Sequence, residues 1–120
     1  MRKDYGELLH IYDPVFKNNI YYILSPDQKV MCQIIKKRFG ITKDVHEGTD
    51  GRFLSEKWQD YPIGIIWTRN RLPQTIAHEA CHATFWALED KGVKPGFETE
   101  EVYAYMIQFI MKEIMEYLKK

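Results

Sequence analysis

The period of the apolar positions changes several times along this chain, and each change marks an element. Residues Glu7 to Tyr12 read as a first strand, Asp13-Pro14 punctuates it, and Lys17-Asn18-Asn19 reads as a turn. Ile20-Tyr21-Tyr22-Ile23-Leu24 is β-branched and aromatic and reads as a second strand, a hairpin partner or a plain neighbour of the first. Val30, Met31, Ile34, Ile35 and Phe39 then recur at helical spacing. This predicts a helix opened by Ser25 as N-cap with Pro26 at its first position, and closed at Gly40.

From Thr42 to Asp60 the pattern lapses into polar residues, a stretch that reads as the most mobile loop. Asp50-Gly51 is a turn signal there, and Arg52-Phe53-Leu54 is a candidate short strand beyond it. Tyr61-Pro62-Ile63-Gly64-Ile65-Ile66-Trp67-Thr68 is the clearest strand. It is apolar on both faces, so one face should pack on helices and the other on core or a substrate cleft. Pro62 and Gly64 argue for a sheet edge or a bulge. A helix is expected from Pro73 to about Lys91, rich in the strong helix formers Ala77, Ala80, Ala83 and Ala87 and stopped by Gly92. A last helix runs from about Glu98 to Lys119, with a broad apolar face of Val102, Tyr103, Met106, Ile107, Phe109, Ile110, Ile114 and Tyr117.

These elements define an α+β domain spanning residues 1–120, with a short, mostly antiparallel sheet packed on two or three helices. A hydrophobic fraction of 45% suffices for a core, and lysines and arginines balance aspartates and glutamates at 17 each. A nucleic-acid binder would show a basic excess, so none is expected. No apolar stretch approaches the roughly 18 residues needed to cross a bilayer, and no secretory-type run follows Met1-Arg2-Lys3-Asp4. The expectation is a cytoplasmic protein with no membrane partner, its cysteines Cys32 and Cys81 free thiols.

The chemistry sits on the helix that opens at Pro73. His78-Glu79-Ala80-Cys81-His82 is a His-Glu-x-x-His motif. Positions i and i+4 lie one turn apart on one helix face, so His78 and His82 can present two imidazole nitrogens to one metal ion. Glu79 sits about 100° round the helix, off the line for a ligand but within reach of a metal-bound water. The bland alternative is a helix with two histidines on a half-buried face and a glutamate in solvent. Cys81, immediately before His82, points away from the metal line and reads as a packing residue.

A catalytic zinc usually has three protein ligands. No third histidine stands at position 88, which is Leu88; His10 and His46 are the only others. The acidic run Glu98-Thr99-Glu100-Glu101 opens the next helix after a short loop, although acids there are also explained by the helix dipole. Periodicity leaves Glu100 and Glu101 open. Glu100 shares the more apolar stripe with Tyr103, Ala104, Ile107 and Met111, and Glu101 shares one with Tyr105, Gln108 and Lys112. His46, alone in its loop, reads as solvent-exposed.

Two segments carry a family resemblance: His78-Glu79-Ala80-Cys81-His82-Ala83, and Glu101-Val102-Tyr103-Ala104-Tyr105 opening the next helix. Together they resemble small phage-encoded zinc metallopeptidases, whose layout is similar to the minimal core of gluzincin-type enzymes. The likeness covers about residues 63–110. It implies a zincin-like minimal core, Zn2+ held by His78, His82 and Glu101, Glu79 as general base, and a peptide or protein substrate cleaved in the host cytoplasm. The chain departs from larger gluzincins in having Tyr105 where an Asp often lies four residues after the glutamate ligand. Tyr105, Tyr103 and His46 are the candidates for stabilising an oxyanion, with Tyr105 foremost; Tyr105 equally suits packing or a hydrogen bond to Glu101. The competing reading is a metal-binding, non-proteolytic phage protein that docks on a host protein through the strand at 61–68.

Overall fold

The computed structural model describes residues 8–120. Glu7, expected to begin the first strand, and the opening Met1-Arg2-Lys3-Asp4 lie outside the described residues. Strand β1 (Leu8–Asp13) and β2 (Asn18–Leu24) form an antiparallel hairpin, with Asp13 opposite Asn18. Buried Asp13 holds its loop: one carboxylate oxygen accepts from the backbone N–H of Val15 at 2.9 Å, the other from the Asn18 amide at 3.2 Å.

Helix α1 (Gln28–Phe39) begins two residues later than its Ser25-Pro26 start signal predicted. The N-cap is Asp27, whose carboxylate accepts from Lys29 N–H at 2.9 Å. Ser25 is claimed by the sheet instead: its N–H donates to the Thr68 carbonyl, and its own carbonyl accepts from the Trp67 indole at 2.9 Å. Gly40 closes the helix at φ 72°, where its N–H returns to the Lys36 carbonyl, as expected.

The short strand expected at Arg52-Phe53-Leu54 is present and runs on through the polar residues that follow it. β3 (Gly51–Trp58) pairs antiparallel with β4 (Tyr61–Thr68), Trp58 opposite Tyr61, across Gln59-Asp60. Both turn residues have positive φ, 54° and 67°, the type I′ sense that suits a tight hairpin. The loop before β3 is pinned rather than loose. The side chain of buried Gln28 bridges to the carbonyl and N–H of His46, and Arg52 donates to the Asp44 carbonyl and to Gln28.

The sheet is mixed, with order β1-β2-β4-β3 and a parallel β2–β4 pairing. β4 is therefore an interior strand, which corrects the edge or bulge that Pro62 and Gly64 suggested. Pro62 is tolerated because pairing with β2 starts only at Ile63, so at Pro62 the strand has a neighbour on one side alone. Gly64 serves packing: a Cβ there would meet the Trp86 ring at 2.8 Å and Phe53 at 3.0 Å. Both faces of β4 pack on helices. Ile63, Ile65 and Trp67 join Tyr21, Ile23, Met31, Ile35 and Phe39 on the α1 side. Ile66 joins Ile20, Tyr22 and the buried residues of α2 (Pro73–Glu89) and α3 (Glu100–Lys119) on the other. The protein is thus α+β, a four-stranded mixed sheet with three helices. Among the described residues no helix is long and apolar enough to cross a membrane.

Candidate functional site on helix α2

Helix α2 starts on Pro73 and ends at Glu89, where Val93 N–H returns to the Leu88 carbonyl past Gly92 at φ 80°. Ile76, Ala80, Ala83 and Ala87 recur at helical spacing and are wholly buried against the sheet and α3. The small alanines and Gly64 let the helix lie close, with Trp86 set over Gly64 and Phe53 (ring centroids 5.7 Å apart for Phe53 and Trp86). That approach carries Glu79, at the border of the buried face, down onto the start of β3.

The burial is the reverse of the bland alternative. His78 and His82 are exposed, with ring centroids 5.0 Å apart and planes at 74°, while Glu79 is only 6% exposed. Among the described residues the Glu79 carboxylate has no hydrogen-bond donor; its charged neighbour is His78, with Nε2 4.0 Å from Oε2. Burial pushes the carboxyl above its ordinary range, and the charges of His78 and His82 pull it partly back. Thr49, Asp50, Gly51, Gln74, Thr75, His78 and Glu79 line an open cleft of about 350 Å³. A largely buried carboxylate is costly to keep ionised, and Glu79 reaches solvent only through this cleft, where His78 is its charged neighbour.

Of the other expected site residues, Glu101 is exposed in the first turn of α3, and Tyr105 is half-exposed and stacked on Phe109 of its own helix. Neither lines the cleft. Tyr103 is buried and donates to the Val93 carbonyl at 2.5 Å, and His46 faces the Arg52 guanidinium at 3.3 Å. Glu100 lies on the side of α3 that shares a hollow with Phe85 of α2. The two histidines are of a zinc-ligating kind and stand one helical turn apart. Among the described residues, no three His, Cys, Asp or Glu side chains are grouped to hold one ion, so the structure does not bring Glu101 to the pair.

Sequence reasoning missed Gly51, Asp50 and Thr49, which reach the cleft only through the β3–β4 hairpin. Gln74 was legible, since it precedes His78 by one helical turn. Gly51 is not a turn glycine: a Cβ there would stand 2.8 Å from Glu79 Oε2 and 2.9 Å from its Cγ. Gly51→Ala is expected to push the carboxylate into the cleft, where water restores its ordinary acidity. Carbon-detected NMR titration should then place Glu79 below its wild-type pKa. An unchanged titration would show that the side chain had stayed put.

Comparison with protein-family models, curated proteins and solved structures finds no match to this chain.

Proposed function

We propose that the chain is a zinc-dependent peptide hydrolase with a zincin-like minimal core. The observation that carries this reading is the largely buried carboxylate of Glu79, opening onto the cleft 4.0 Å from His78, beside two exposed histidines one turn apart. His78 and His82 would hold the ion, and Glu101 is the third ligand that the sequence resemblance assigns, with Glu100 its alternative. Zinc held there would supply Lewis acidity, lowering the pKa of a water and polarising the scissile carbonyl. Glu79 accepts the proton of the attacking water as oxygen bonds to the carbonyl carbon, then delivers it to the amine nitrogen as the C–N bond breaks. Its raised pKa brings it nearer neutrality, which suits a group that must both take and return a proton.

An extended peptide has a route to this cleft. Among the described residues β3 has a strand partner on one side only, and its first residue, Gly51, lines the cleft with Glu79. Edge pairing on β3 would lay a substrate beside the histidines. β4 cannot serve, for substrate or for a host protein, because β2 and β3 flank it.

Metal content, measured by mass spectrometry on protein purified without a metal-affinity tag, tests the reading. About one zinc per chain is expected in the wild type, falling at least tenfold in His78→Ala and in Glu101→Ala after equal washing. Zinc retained in Glu101→Ala moves the third ligand to Glu100. Zinc bound without any peptide hydrolysis favours the non-proteolytic alternative, and no zinc in any form sinks the proposal.

A further inference from the structure

A second concavity lies on the other flank of the histidine ridge. It measures about 290 Å³, and its lining of Phe85, Pro95, Gly96, Tyr103, Ala104 and Ile107 is almost wholly apolar, with Glu100 beside them. Phe85 stands three residues after His82 and, in helical projection, roughly 20° from His78. His78, His82 and Phe85 therefore form one exposed stripe that leads from the cleft to this hollow. Phe85 is 39% exposed, and its other side packs on Tyr103 at 5.0 Å between centroids. The hollow is built in advance: Tyr103, 7% exposed, ties its hydroxyl to the Val93 carbonyl, and Thr99 ties its own to the Lys94 carbonyl, which together hold the 93–99 loop as one wall.

We infer that this hollow is the subsite for one aliphatic side chain of the substrate peptide, next to the bond cleaved at His78 and His82. The inference rests on the proposed hydrolase and adds its substrate class. Three residues of helix separate His82 from Phe85 at the hollow's rim, about 4.5 Å along the axis, between one and two residue steps of an extended peptide. The volume admits a leucine- or methionine-sized side chain and excludes a docked helix, which needs a long groove with several anchor positions. Apart from Glu100, the one hydrogen-bonding side chain in the lining is Tyr103, whose hydroxyl proton is committed to the Val93 carbonyl, so a neutral polar side chain gains little there, and an acidic one is repelled.

Two measurements test it, with wild type beside Ala104→Phe, which fills the hollow from an exposed helical position. In the first, zinc-loaded protein digests a pool of peptides from a protein extract, and cut sites are read by mass spectrometry. Wild type is expected to favour Leu, Ile, Val or Met at one position flanking the cut by about tenfold. Ala104→Phe should shift that position to Gly and Ala while its zinc content stays the same. An identical cut-site pattern in the two proteins overturns the inference. In the second, N-acetyl-leucinamide is titrated into each protein and followed by NMR. Saturable shifts at Phe85, Tyr103 and Ala104 in wild type, lost in the filled variant, are expected. If the pool is not cut, the hydrolase reading fails on its own, and the titration still decides whether the hollow takes an aliphatic group; absence of shifts overturns it.

Discussion

Replacing Glu79 by Gln is expected to lower peptide hydrolysis by about 10²- to 10⁴-fold, the range a positioned general base contributes, while zinc content stays at the wild-type level. The amide keeps the side chain's shape and removes its basicity, so loss of rate with metal retained isolates the proton transfer. The same substitution should stabilise the fold, in a way that depends on pH. Burial raises the Glu79 carboxyl above its ordinary 4.5, so the native state binds that proton more tightly than the unfolded chain does. The stability this supplies is complete below about pH 4.5 and is lost as pH rises through the folded-state pKa. The neutral amide would mimic the protonated carboxyl at every pH. In metal-free protein, the melting temperatures of wild type and Glu79→Gln should therefore coincide near pH 4 and diverge towards neutrality, the variant melting higher. Each kcal/mol relieved is worth about 4 °C in a domain of this size. A variant that melts lower than wild type at pH 7 would mean that the carboxylate is satisfied in the native state, and would remove the observation on which the proposed function rests.

The same balance between stability and chemistry explains the local sequence. Ala80, Ala83 and Gly64 bring the helix near the sheet, and Gly51 leaves room for a carboxylate where any side chain would collide. Such tight packing around a group that gains nothing by burial is understandable if the group works there.

What could be read in advance was what is encoded locally. Helix α2 declared itself through Pro73, its alanines and Gly92, and the His78–His82 pairing follows from helical period alone. The fold class followed from the alternation of strand-like and helix-like periods. Strand order did not, because it depends on partners far along the chain. The apolar run at 61–68 suits an interior strand, yet Pro62 and Gly64 spoke for an edge, and only the late start of the β2 ladder shows why Pro62 is allowed. β3 was legible only at Arg52-Phe53-Leu54, because its second half carries the polar residues Ser55, Glu56 and Lys57 of an edge strand, and its hairpin turns at Gln59-Asp60 without a glycine. Ser25 and Asp27 were both competent caps; the sheet took the first and left the second to the helix. Gly51 looked like a turn residue since its reason lies in Glu79, distant in sequence. Placement of Glu100 and Glu101 depends on how α3 crosses α2, which no periodicity encodes.

Trp67→Ala is expected to be the most damaging core substitution, costing about 3–5 kcal/mol, or a fall of roughly 12–20 °C in melting temperature. Trp67 is fully buried, lies on the α1 face of the interior strand, and is the largest wholly buried side chain among the described residues. Its removal empties the space between β4 and α1. It also strips the buried Ser25 carbonyl of the indole donor at 2.9 Å. Trp67→Phe separates the two losses: it keeps most of the volume and deletes only the donor, so it should cost about 1–3 kcal/mol. Urea unfolding of the three proteins measures both. A domain of this kind holds a margin of about 5–15 kcal/mol, so the alanine variant should remain folded at 25 °C with a sharply lower midpoint. β4 leads directly into α2, with Thr68 Oγ1 bonded to the Tyr22 hydroxyl at 2.6 Å and to the Asn70 carbonyl at 2.8 Å. Damage confined to the α1 face should leave those bonds intact and zinc binding by Trp67→Phe at the wild-type level. Equal destabilisation in the Phe and Ala variants would place the whole cost in the hydrogen bond to Ser25 and none in packing, contrary to the burial of the ring.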